Sequence, residues 1–212
     1  MRTSTRWTLA VLAVLGALTL VFALELSGGA GRPGDSAAPV QRTHREADSP
    51  EALAGPRQRA DLPPCPADGS GAGPAALRGV VVQCAADGSQ VDVARALAGR
   101  TVVLNLWAYW CGPCADELPA LQEYQHRAGD AVSVITVHQD ENETAALVRM
   151  AELGVHLPVL QDGRRTIAAA LRLPNVMPET VVLRRDGSVA AVLPQPFTSA
   201  DGIRAAVESA LR

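Results

Sequence analysis

Thr101-Val102-Val103-Leu104-Asn105-Leu106-Trp107-Ala108-Tyr109-Trp110-Cys111-Gly112-Pro113-Cys114 is an apolar run that ends in two cysteines three positions apart. The near-continuous apolar character of Thr101 to Trp107 predicts a central strand buried on both faces. Residues Cys111 to Arg127 read as a helix, so the two thiols stand where a strand becomes a helix. At that junction Cys111 meets unpaired backbone N–H groups and the positive end of the helix dipole. Both stabilise a thiolate and make Cys111 the attacking sulfur. Cys114, one turn further in, is better shielded and suited to resolving a mixed disulfide. The pair is not half of a zinc site, because no second pair at ligand spacing exists. Haem attachment requires His after the second Cys, and Ala115 stands there.

Outward from this stretch, strand-like and helix-like segments alternate from about Cys65 to Arg212, which predicts an α/β domain. Val80 to Gln83 and Gln90 to Val93 flank Asp87-Gly88-Ser89 and predict an early β-hairpin. Ala131 to Val137 is the next buried strand and completes a βαβ unit. Glu143 to Leu153 and Arg165 to Leu171 read as helices. Glu179 to Arg184 and Ser188 to Leu193 read as strands around Asp186-Gly187, and Thr198-Ser199-Ala200-Asp201 opens a last helix to Leu211.

The N-terminal part has a different character. Arg2 and Arg6 precede an uncharged, mostly apolar run of eighteen residues from Trp7 to Leu24. A spanning helix needs roughly 17 to 25 such residues and a cleavable signal about 7 to 15, so the length favours an uncleaved anchor. The arginines would keep residues 1–6 in the cytoplasm and send the rest outside. Cleavage is the alternative, with small residues at Val21-Phe22-Ala23 and Gly28-Gly29-Ala30 and a secreted product. Residues 25–64 shift to Gly, Pro, Ser, Ala and scattered charge and predict a flexible linker with a reach of roughly 35 Å. Residues 65–212 form the expected domain. All nineteen basic residues are arginine and the formal charge is -3, which gives no signature for nucleic acid.

At Trp110-Cys111-Gly112-Pro113-Cys114 the sequence resembles the thioredoxin superfamily, and its TlpA/ResA-like extracytoplasmic branch in particular, over roughly Val80 to Arg212. The resemblance implies a thioredoxin fold with a central mixed sheet flanked by helices, and a helix-strand insertion around Glu141 to Leu160. Asn105 stands where thioredoxin has a buried Asp, and an amide cannot accept the thiol proton. Glu117 of Glu117-Leu118-Pro119 matches the Glu-x-Pro signature of the branch, one turn along the same helical face as Cys114. A partly buried carboxyl there can take the proton of Cys114 during resolution. Pro119 removes an internal helical bond. Met177-Pro178 matches the family's cis-proline, opposite the cysteine pair, and with Trp110 forms the expected substrate-binding set. Met177 departs from the small or β-branched residue common there.

The resemblance further implies thiol-disulfide oxidoreductase activity without metal or cofactor and a membrane thiol electron donor of the CcdA/DsbD type. Clients are disulfides of exported proteins, the Cys-x-x-Cys of apocytochrome c among them. Gly112-Pro113 is shared with thioredoxin, which sits near -270 mV against about -120 mV for DsbA, a gap of about 7 kcal/mol. The dipeptide therefore favours a reductase, with an oxidase or isomerase of the same fold as the alternative. A Cu(I)-binding chaperone using the thiolates with Met177 or His138 is the alternative from another class. Cys65 and Cys84 lie outside the commonest pattern of the branch. In an oxidising compartment their plain reading is a structural disulfide, and the rival is a second relay exchanging with Cys111. The acidic Asp140-Glu141-Asn142-Glu143 reads as a solvated loop and helix start.

Overall fold

A computed structural model of the chain describes residues 48–212. The expected anchor at 7–24 and the first part of the expected linker lie outside the described residues, and among the described residues no helix is long and apolar enough to cross a membrane.

Strand β3 (Val102–Trp107) is buried at all six positions, as an apolar run in the middle of a sheet requires. It pairs in parallel with β4 (Ser133–His138) and antiparallel with β6 (Glu179–Leu183). Outside β4 lie β5 (Val159–Gln161), then β1 (Val81–Cys84) and β2 (Gln90–Asp92); outside β6 lies β7 (Val189–Leu193). The result is a seven-stranded mixed sheet of order β2-β1-β5-β4-β3-β6-β7, with β1 and β2 antiparallel across their turn.

The two-residue period of the strands sorts the interior into two cores. Val103, Trp107, Val134 and Val182 face one side. There they meet α3 (Gly112–Ala128), α4 (Glu143–Leu153) and α6 (Ala200–Leu211) through Leu118, Leu121, Leu147, Met150 and Ile203. Leu104, Leu106, Ile135, Val137 and Val181 face the other side, with the short α2 (Val93–Ala96) and α5 (Thr166–Leu171). Truncating a fully buried residue such as Leu104 to Ala costs about 2 to 5 kcal/mol by this logic. The expected insertion is present as α4 and β5, the strand lying parallel to β4 and antiparallel to β1.

Two expectations need correction. The linker does not extend to residue 64, because residues 50–60 form a helix, α1 (Pro50–Ala60). Ser49 caps it by accepting from Ala52 N–H, and Pro50 suits its first position. Its weak intrinsic propensity, with Gly55 and Pro56 inside, is overcome by docking. Leu53 and Ala60 are buried in the first core, and the Arg57 guanidinium donates to Glu143 of α4 at 2.8 Å and to the Ala85 carbonyl at 3.1 Å. Asp48 completes the strap by accepting from the Thr144 backbone N–H, in the first turn of α4. The acidic stretch is likewise not simply solvated. Glu143 is only 4% exposed because it receives Arg57, and Asn142 caps α4 by accepting from Ala145 N–H.

Beyond the strap, Cys65 is bonded to Cys84 at the end of β1. The bridge closes a loop of 19 positions in sequence, which constrains the unfolded chain by about 3 kcal/mol in the chain-entropy account. A double Cys65→Ala, Cys84→Ala variant is expected to lose about that much stability in a urea titration while the Cys111/Cys114 pair still oxidises and reduces.

Candidate functional site

The chain leaves β3 through Ala108-Tyr109-Trp110 and enters α3 with Cys111 as the capping residue. Cys111 has extended backbone angles, and its sulfur accepts from Cys114 N–H at 3.3 Å, one of the helix's unpaired donors. The two cysteines are joined, with Cα atoms 5.3 Å apart. Cys111 is 6% exposed and Cys114 1%, so the first residue is the more accessible of the two. Gly112 and Pro113 are exposed beside them.

Glu117 lies nearly one turn beyond Cys114 on α3 and is fully buried. Its Oε2 accepts from the Asn105 side-chain amide at 2.9 Å, and its Oε1 from the Phe197 backbone N–H at 3.2 Å. Asn105 is in turn tied to Thr180 at 3.1 Å, so strands β3 and β6, the helix and the loop before α6 meet at one carboxyl. Burial raises the pKa of Glu117 from the ordinary 4.5 to about 7, and the two hydrogen bonds only partly oppose it. The group therefore exchanges a proton near neutrality, beneath the cysteines. It makes no hydrogen bond to either of them in the disulfide state.

Met177-Pro178 is a cis peptide bond and leads directly into β6. Pro178 is buried and Met177 half-buried. Trp110 is 57% exposed, yet its indole N–H is held at 3.0 Å by Asp140, so that acid is not simply solvated. Cys65 and Cys84 are elsewhere. Cys84 packs in the core on the opposite side of the sheet from Cys111 and Cys114.

One group near the site escaped sequence reasoning, and a second was read for a different role. Glu179 is 1% exposed, one of its oxygens lacks a hydrogen-bond partner, and burial raises its pKa against the opposing charge of Arg165. Its position after Pro178 was the available signal. His138, weighed as a copper ligand, has both ring nitrogens engaged, one by Tyr109 N–H and one by Gln161. Nothing in local spacing announces that, since the partners lie 29 and 23 positions away.

Residues 68–207 match the Redoxin family. The chain is 31% identical to the thiol-disulfide oxidoreductase ResA of Bacillus subtilis over 103 residues, 48% of this chain and 57% of that protein. It is 42% identical to the thioredoxin-like protein YneN of Bacillus subtilis over 98 residues, 43% of this chain and 54% of that protein. The chain thus spans little more than half the length of these curated relatives. A DsbF homologue from Corynebacterium diphtheriae superposes with a TM-score of 0.55 at 26% identity, over 65% of this chain and 87% of that one. A secreted Mycobacterium tuberculosis disulfide oxidoreductase homologous to DsbE of E. coli gives 0.55 at 23% identity, over 63% and 97%, and shows the shared fold.

Glu117 also governs stability. Because its folded pKa is raised, its contribution is complete below about pH 4.5 and is lost as pH rises through about 7, by about 3 kcal/mol. Denaturant titrations of Glu117→Gln are expected to lack that decline, so the variant gains on the native protein between about pH 5 and about pH 8.

Proposed function

The chain belongs to the Redoxin family, and from that premise we propose that it is an extracytoplasmic thiol-disulfide reductase working through Cys111 and Cys114. The observation that carries the reading is the setting of the pair: an N-capping sulfur held by a helix N–H, a second sulfur behind it, and a buried carboxyl titrating near neutrality one turn on.

In the proposed cycle the reduced pair meets a client disulfide. The Cys111 thiolate attacks one client sulfur, a mixed disulfide forms and the client's other sulfur leaves as a thiolate. Cys114 gives its proton to the Glu117 carboxylate and attacks the Cys111 sulfur. The client's second thiolate departs, and the pair is left oxidised. Two electrons pass from the pair to the client, and a membrane thiol donor of the CcdA/DsbD type restores them. Trp110, Met177 and Pro178 line the approach of the client chain. Gly112-Pro113, as in thioredoxin, supports the reducing direction. Exported proteins are the client class, with the Cys-x-x-Cys of apocytochrome c as a specific candidate. Residues 7–24 serve as the anchor in this proposal. Cys65–Cys84 is structural, because the sheet separates it from the active pair.

A Cys114→Ala variant is expected to accumulate mixed disulfides on Cys111, and their masses identify the clients. The potential of the native pair is expected nearer -270 than -120 mV; a value near the latter, with rapid oxidation of dithiol peptides, rejects the reductase. Glu117→Gln is expected to slow resolution roughly tenfold or more at neutral pH without slowing the first attack comparably, as stopped-flow kinetics would record.

A further inference from the structure

Beside the cysteine pair runs a chain of hydrogen bonds whose polarity is fixed at both ends by the backbone. At one end is the Tyr109 N–H, which can only donate, and it points at His138 Nε2 at 3.4 Å. At the other is the Asp140 carbonyl, which can only accept, and it receives the Gln161 side-chain NH2 at 2.6 Å. Between them His138 Nδ1 and Gln161 Oε1 are 2.8 Å apart. Only one assignment satisfies all three contacts: Gln161 presents its oxygen to the ring, Nδ1 carries the proton and Nε2 is a bare acceptor. An imidazolium would set N–H against the Tyr109 N–H. The ring cannot turn away, for His138 is fully buried and packs 5.0 Å from the Trp107 ring.

Two further links end on the segment that delivers Cys111. The Arg149 guanidinium of α4 donates to the Tyr109 carbonyl at 3.4 Å, and Asp140, whose carbonyl Gln161 holds, grips the Trp110 indole through its carboxylate. Arg149 and Gln161 stand on α4 and β5, the two inserted elements. The insertion thus holds the Tyr109 carbonyl directly through Arg149, and its N–H indirectly, through the His138 ring that Gln161 orients.

We propose that His138, oriented by Gln161, is a positioning residue for the cysteine pair: neutral, it fixes the Tyr109 backbone and so the presentation of Cys111 to a client, and on protonation it releases that backbone. The inference rests on the proposed thiol-disulfide exchange, although its structural half does not. Burial lowers the pKa of His138, against the favourable hydrogen bond of Gln161 and the charges of Asp140 and Asp48. Tyr109 faces it from the loop, and the Arg149 charge lies beyond the Tyr109 carbonyl. Release is therefore an acid-side event, opposite in sign to the loss of the Glu117 proton.

The test uses the full chain, native and as Gln161→Glu and His138→Phe. Gln161→Glu gives Nδ1–H a carboxylate and so favours the imidazolium; His138→Phe keeps a ring against Trp107 but accepts nothing. Two readouts are taken from about pH 4.5 to about pH 8.5: kcat/KM for insulin disulfide reduction and the Tyr109 amide resonance. For Gln161→Glu, the acid limb of kcat/KM and the titration of the Tyr109 amide should move together to higher pH, with roughly tenfold less activity than native near pH 6 and little change near pH 8.5. His138→Phe should lose roughly five- to tenfold at all pH and show no Tyr109 titration. If Gln161→Glu leaves both profiles unmoved, or His138→Phe lowers only the melting temperature, the proposal is overturned. Should the native chain fail to reduce insulin at any pH, the reductase reading falls, while the Tyr109 resonance still decides whether His138 governs the loop.

Discussion

All six residues of β3 are excluded from water, and each of its edges is bonded, one to a parallel and one to an antiparallel neighbour. A strand fixed in this way cannot slip by one residue without moving its apolar side chains to the wrong core. The turn that follows is therefore anchored as firmly as the strand, and with it the start of α3. The exposed N–H groups at that start, the partly shielded sulfur of Cys111 and the deeper sulfur of Cys114 follow from where β3 ends. Chemistry that depends on a few ångströms is set by a hydrophobic constraint on the residues before it.

The same strand carries the exception to its own apolar character. Asn105 sits in the middle of β3, fully buried, because it has Glu117 and Thr180 to bond. A polar pair in such a place is costly unless satisfied, and here the cost appears as a carboxyl that holds its proton until about pH 7. An amide at position 105 in place of an acid leaves Glu117 as the titrating member of this cluster. His138, under the same exclusion of water, is pushed the other way and stays neutral. Burial thus favours the uncharged form of both groups, raising the carboxyl of Glu117 and lowering the imidazole of His138.

The N-terminal strap and the insertion act on each other before either touches the site. Asp48 bonds the first turn of α4, Arg57 reaches Glu143, and the Cys65–Cys84 bridge fastens the next stretch to β1. Arg57–Glu143 is nearly dry, so it contributes register more than net stability. By fastening α4, these contacts support Arg149, whose guanidinium holds the Tyr109 carbonyl in the loop before Cys111.

Much of this was legible along the chain. The uninterrupted apolar run foretold a strand covered on both faces, and the cysteine spacing foretold a capping sulfur with a second one turn inside. The helix at Glu143 to Leu153 was read to the residue, because each of these signals is local and repeats with the period of its own element. The helix at Pro50 to Ala60 was missed, since its own sequence barely favours helix and only its dock against α4 does. The acid loop was misread for a related reason: whether Asp140 and Glu143 face water depends on Trp110 and Arg57, 30 and 86 positions away. The sequence by itself determined which segments bury and where the sulfurs stand. Tertiary structure alone decided which polar groups share a water-free space, and so which of them hold a proton, because that depends on atoms brought together from distant parts of the chain.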